Sequence, residues 1–165
     1  MTAMAQIRPF RPGDAAATHR VFVLAVTEGA AGRYSASERA DWLPDPAMPD
    51  DWGSWLAGHH TLVADEGDRL TGFFMIEASG YLNMAYVTPD RMGMGLADRL
   101  YDGIVAHARA VRMAQMTTLA SRYAEGFFRR HGWTLAPYLT DGPGVDPTEM
   151  DAAQTMNRAM QIMLS

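Results

Sequence analysis

In VTPDRMGMGLADRL, residues 87–100, a Val-x-Pro ends a run of β-formers, glycines follow at 93 and 95, and an amphipathic segment begins. A strand, a short turn and a helix start form an arrangement that aims unpaired backbone N–H groups at an anion, and the helix dipole adds positive potential there. Glycine removes the Cβ that would keep a ligand from the backbone. A pyrophosphate suits such a cradle. The same spacing also suits a plain strand-to-helix turn that needs glycine for its dihedral angles, and two glycines alone do not separate these readings.

Working outward, LNMAYV (82–87) predicts the strand that feeds the turn. TLVAD (61–65) and LTGFFMIEA (70–78), separated by Glu66-Gly67-Asp68, predict an antiparallel hairpin joined to that strand through Ser79-Gly80. Downstream, a helix is predicted from about Gly95 to Val111, with Leu96, Leu100, Ile104, Ala108 and Val111 on one face. MTTLA (116–120) predicts a strand, and YAEGFFRRHG (123–132) a helix ended by Gly132. Trp133 to Leu139 reads as a strand, DGPGVDPTEM as a loop, and MNRAMQIML (156–164) as a closing strand whose methionines would also suit a helix.

Upstream, IRPF (7–10) predicts a strand and Pro12-Gly13-Asp14 a turn with a cap. A helix over 14–29 carries Ala17, Val21, Leu24 and Ala25 at helical spacing. SERADWL predicts a short helix capped by Ser35 or Ser37, and a further helical turn or two bears Trp52 and Trp55. The expected fold is mixed α/β, with a mostly antiparallel central sheet flanked by helices, in a single domain spanning 1–165.

Composition narrows the function. The chain has 165 residues, 48% hydrophobic and 20% charged, which is ordinary for one globular domain. It contains no cysteine, which excludes disulfides, thiolate metal sites and a cysteine nucleophile. All 14 basic residues are arginine, so a phosphate-loop lysine and a Schiff-base lysine are both excluded. A net charge of −5 speaks against sequence-independent nucleic-acid binding and favours a neutral or cationic partner. The longest apolar run, VFVLAV (21–26), is too short for a membrane span, and the first ten residues lack a signal-peptide pattern. A cytoplasmic protein is expected.

VTPDRMGMGLADRL resembles the acyl-coenzyme-A loop of the GNAT N-acetyltransferases, in which Val-x-Pro precedes Arg/Gln-x-x-Gly-x-Gly/Ala and a helix. Val87, Pro89, Gly93, Gly95 and Ala97 match, whereas Met92 stands where arginine or glutamine is usual and Arg91 lies one residue early. AEGFFRRHGW (124–133) resembles the family's second signature, with Ala124, Phe127, Gly132 and Trp133 in register. IRPFRPGD is similar to the usual first strand. Tyr34, Ser35 and Trp42 resemble the first two helices of a bacterial subgroup.

The resemblance implies acetyl-CoA as co-substrate, no metal, and a small-molecule or peptide amine as acceptor, with a homodimer left open. It implies cofactor contacts from Ala85, Tyr86 and Val87 of the preceding strand, from Met92, Gly93, Met94, Gly95, Leu96 and Ala97 of the loop, and from Phe127. Tyr34, Trp42, Trp52 and Trp55 fall in the segment that shapes the acceptor pocket in that family, and Tyr34 and Trp42 are the candidate acceptor contacts.

Acetyl transfer needs a neutral nitrogen, an oxyanion donor and a proton for the leaving sulfur. Glu77, at the end of FFMI, is the candidate base, and Asn83 can orient a water or the amine but cannot titrate. The family's usual tyrosine falls on Phe128, which donates nothing. Tyr123, Tyr34 and Tyr138 are the other candidate donors. Tyr123 lies five residues before Phe128 on the same predicted helix, which puts it about 140° off that face. The thiol can also leave unassisted. Adjacent His59 and His60 point to opposite faces of a strand and cannot chelate together. Arg129 and Arg130 are candidates for coenzyme phosphates. Two rivals stand beside this reading. A non-catalytic acyl-CoA-binding domain keeps the cradle without the chemistry. A dinucleotide oxidoreductase fails for want of a third glycine at the required spacing.

Overall fold

The computed structural model describes residues 4–136 and 158–165. Tyr138 and the expected loop DGPGVDPTEM lie outside the described residues, as does the far end of the strand expected from Trp133. Among the described residues, seven strands form two antiparallel sheets. The first runs β1 (Gln6–Pro9), β2 (His60–Asp65), β3 (Leu70–Ile76) and β4 (Leu82–Val87) in that order; the second runs β5 (Gln115–Ala120), β7 (Arg158–Met163) and β6 (Thr134–Leu135). The mixed, mostly antiparallel expectation holds, and the methionine-rich closing segment is strand β7.

The helix α4 (Leu96–Ala110) covers one face of the first sheet. Leu96, Leu100, Ile104 and Ala108 are buried as their spacing predicts, whereas Val111 lies past the helix end and is exposed. Full burial of Leu100 and Ile104 contributes roughly 1.5–3 kcal/mol each. A Cβ on Gly103 would stand 2.6 Å from Leu62 Cδ1, so this glycine lets the helix sit against β2. The other face packs on α1 (Ala15–Leu24) and α3 (Trp52–Ala57), through Val21, Trp52 and Leu56. β3, central between the two layers, is buried along its whole length.

The predicted 14–29 helix divides. α1 ends at Leu24, and a π-helical turn follows in which Ala30 N–H reaches back five residues to Ala25 C=O (3.0 Å). α2 (Ala36–Trp42) starts on Ser35, whose hydroxyl accepts from Glu38 N–H while the Glu38 carboxylate accepts from Ser35 N–H (both 3.1 Å). This reciprocal cap selects Ser35 over Ser37. The helix expected over 123–132 is shorter, α5 (Glu125–Arg130), with residues 121–124 in a preceding turn held by Ser121. Among the described residues no helix is long and apolar enough to cross a membrane.

Candidate active site

β4 and β5 are parallel neighbours that touch only where they start. Tyr81 bridges Thr117, and Thr117 N–H donates to Gly80 C=O at 3.0 Å. A Cβ on Gly80 would lie 2.5 Å from the Gln115 carbonyl oxygen, so only glycine lets the β5 backbone come this close. One residue on, the Thr118 hydroxyl replaces the backbone ladder by donating to Leu82 C=O at 2.8 Å. Beyond that point the strands part, and a cavity of about 820 Å³ opens between them.

The parting leaves one edge of β4 unpaired. Its other edge is occupied by β3, where Thr88 N–H donates to Thr71 C=O at 2.9 Å. Alternation along the antiparallel ladder therefore turns the amides of Val87 and Ala85 toward the cavity. Between Leu82 and Met84 the register slips, leaving Asn83 as an extra residue opposite the Met75–Ile76 step. The bulge redirects the Asn83 side chain, which lines the cavity.

At one end of the cavity lies the glycine turn. Gly93 and Gly95 have φ of +73° and +83°, and a Cβ on either would meet no heavy atom within 4 Å. The first backbone bond of α4 runs from Arg99 N–H to Gly95 C=O (3.2 Å), so the N–H groups of residues 93–98 find no acceptor among the described residues. Open space over unpaired donors at a helix start is a place that can receive an anion, a cradle in shape and charge. Met92, Gly93, Gly95 and Ala97 line the cavity together with Phe127. Met94 is 69% exposed and Leu96 is packed in the core; both side chains point away from the cavity wall. Arg91 pairs with Glu66 at 2.8 Å and Asp90 at 3.2 Å, which commits its charge away from the cradle. Arg129 is held by Glu125 at 2.9 Å and Arg130 by Asp98 at 3.0 Å. Burial works against the Asp98 charge, but hydrogen bonds from His131 and Arg130 outweigh it and hold this carboxyl below its usual range.

The other end is built from side chains. Trp42, Tyr86, Tyr81, Asn83, Tyr123 and Arg33 line it, drawn from α2, β4 and the segments before α2, β4 and α5. Burial pushes the Tyr86 and Tyr123 hydroxyls up from their ordinary value, and the nearby Arg33 charge partly offsets this at Tyr123. Burial also raises Tyr81, helped by the negative charge of Glu77. Tyr34 stands outside the cavity wall. It is 3% exposed, its hydroxyl accepts from Arg122 N–H at 2.6 Å, and its ring meets Trp42 edge-on at 5.4 Å. Its contact with this chamber is through Trp42.

Glu77 also stands outside the wall. It follows β3 and is reached through Asn83, whose Nδ2 donates to Glu77 Oε2 at 3.2 Å. His59 Nε2 lies 3.8 Å from the other carboxylate oxygen, while His59 Nδ1 donates to Trp55 C=O at 2.8 Å. His60 faces elsewhere and stacks on His107 with ring centroids 3.5 Å apart. The phase argument against Tyr123 does not apply, because α5 begins at Glu125 and Tyr123 sits in the turn before it. Tyr123 and Phe128 both line the cavity, with Phe128 packed on Trp133 at 4.9 Å. Sequence reasoning missed Arg33, Tyr81 and Ser121, which also line it. No motif marks them; adjacency to Tyr34 and to the β5 end is the only signal they carry.

A family model described as an acetyltransferase (GNAT) domain matches residues 34–152. The chain is similar to the uncharacterized N-acetyltransferase YafP of Escherichia coli (strain K12), with 29% identity over 130 residues, covering 78% of this chain and 80% of that protein. Its fold is similar to the crystal structure of a GCN5-related N-acetyltransferase (aminotransferase, class II) from Rhodopseudomonas palustris, with a TM-score of 0.78, 26% identity, and 99% and 98% of the two chains covered. The PaiA N-acetyltransferase of Thermoplasma acidophilum, solved in complex with coenzyme A, shares the fold with a TM-score of 0.71 at 14% identity, over 97% and 99% of the chains. With a glycine cradle at the end of a split between parallel strands and a family model matched over most of its length, the chain belongs to the GNAT acetyltransferase family.

Proposed function

We propose that this protein moves the acetyl group of acetyl-CoA directly onto a primary amine, small-molecule or peptide, in one ternary complex, and that residues 1–165 act as a single catalytic domain. The observation that carries this reading is the β4–β5 split, which runs from unpaired N–H groups over Gly93 and Gly95 to a chamber of aromatic and polar side chains. The coenzyme A bound by the Thermoplasma relative supports the choice of acyl donor.

Acetyl-CoA supplies an activated thioester. The N–H groups of residues 93–97 would receive its pyrophosphate, and Met92, Ala97 and Phe127 flank the same end of the cavity. The open-edge amides of Ala85 and Val87 are available to the pantetheine arm and to the carbonyl oxygen. Asn83 orients the amine, and the amine proton leaves through water toward Glu77, to which Asn83 is hydrogen-bonded. As the N–C bond forms and the C–S bond breaks, the sulfur takes its proton from Tyr123. Burial keeps that phenol protonated through neutral pH. Tyr123 thus takes the donor role that Phe128 lacks.

Calorimetry with acetyl-CoA, followed by release of free CoA across a panel of amines, tests the proposal. Binding with amine-dependent release is the expected outcome. Binding without release from any amine would favour the non-catalytic acyl-CoA-binding domain, and absence of binding would sink both.

A further inference from the structure

The charged side chains of the cavity wall are Arg33, Arg91, Arg130 and Asp98. Three of them are neutralised within the protein: Arg91 by Glu66 and Asp90, and Arg130 by Asp98, which also meets His131 at 2.7 Å. Arg33 differs. Its Nη1 donates to the Arg122 carbonyl at 3.1 Å, and no carboxylate among the described residues forms an ion pair with it. The acid joined to that network, Glu38, is taken by Arg122 at 2.9 Å. A guanidinium has five N–H donors in a planar fork, so one carbonyl leaves most of them available. Arg33 also lies close enough to Tyr123 for its charge to act on that hydroxyl, which sets it beside the reacting end and not at the cradle.

The acceptor chamber therefore presents one uncommitted cation and, among the described residues, no lining carboxylate. A polycationic acceptor would meet like charge there, which is costly away from bulk water. We propose that the acceptor is an amine that carries an oxyanion, held by Arg33 through that oxyanion while Asn83 and Trp42 attend the amine end. This rests on the acetyl-transfer reading of the same cavity and narrows its acceptor. It also reverses the preference for a neutral or cationic partner drawn from net charge, because the local field at the site has the opposite sign from the chain as a whole.

The test compares β-alanine, 2-aminoethyl phosphate, propylamine and putrescine as acceptors. At least one anionic amine is expected to exceed propylamine about tenfold or more in kcat/KM, with putrescine poorest. The better of the two anionic amines identifies the oxyanion as carboxylate or phosphate. Arg33→Gln should lower the anionic-to-neutral ratio about tenfold, mainly through KM, and Arg33→Lys should restore part of it. Propylamine or putrescine matching both anionic amines, or a ratio unchanged in Arg33→Gln, would overturn the proposal. Calorimetric titration of the four amines, with and without CoA, reads the same preference without turnover. A chain that binds no CoA would instead strike the acetyl-transfer reading and leave the amine preference measurable.

Discussion

The two ends of the cavity are built by different means. The cradle end is backbone: glycines in a left-handed conformation, N–H groups at a helix start, and the open edge of β4. The chamber end is side chains brought from positions 33, 42, 81, 83, 86 and 123. A backbone cradle accepts one kind of guest wherever the strand–glycine–helix arrangement recurs, since amides do not vary with residue type. A chamber of side chains can change with each substitution at its wall. The same fold can therefore keep its acyl donor while changing its acceptor.

The largest expected effect tests the cradle end. Gly95→Glu adds bulk and negative charge where open space now stands, at a φ of +83°. Acetyl-CoA binding should fall below detection by calorimetry. The fold should persist with a loss of about 1–2 kcal/mol from the left-handed backbone. Wild-type affinity in that variant would reduce the glycines to a plain turn and erase the contrast between the two ends.

At the chamber end, Tyr123→Phe should lower kcat about 10²-fold while leaving acetyl-CoA affinity intact. Because burial raises the Tyr123 hydroxyl above its ordinary value, the wild-type rate should hold through neutral pH and fall only on the alkaline side. The variant should lose that alkaline fall. An unchanged rate and profile would mean that the thiolate departs unassisted, as Phe128 in the usual tyrosine position implies.

The smallest of these effects concerns Glu77, which stands behind Asn83 and outside the chamber wall. Glu77→Gln keeps the shape and removes the base, so kcat should drop about tenfold, less than for a base in direct contact. If kcat does not change, Glu77 is a strand-end residue and the chamber contains no base of its own among the described residues.

The fold was legible where local rules and burial agree. The β3 segment LTGFFMI reads as a buried strand and is one, and the α4 face from Leu96 to Ala108 follows the helical period into the core. Val111 broke the pattern because the period continues in sequence after the helix has stopped. The glycine turn was legible because it is made of consecutive residues, which a contiguous motif can record. Tyr123 was misjudged on helix phase, since Ser121 caps a turn that delays α5 until Glu125.

By itself, the sequence determined the order and type of the elements, the glycine turn with its helix, and the chemistry ruled out by the absence of cysteine and lysine. Those properties depend on neighbours along the chain or on composition. Only the tertiary structure decided that β4 and β5 separate after Thr118, that Glu77 stands behind Asn83, that the Tyr34 hydroxyl is occupied by Arg122 N–H, and that Arg33 lacks a described carboxylate partner while Arg91 and Arg130 have theirs. Each depends on a contact between residues from different elements or on a charge left over once the others have paired. Such a remainder exists only when every nearby partner has taken its place in space.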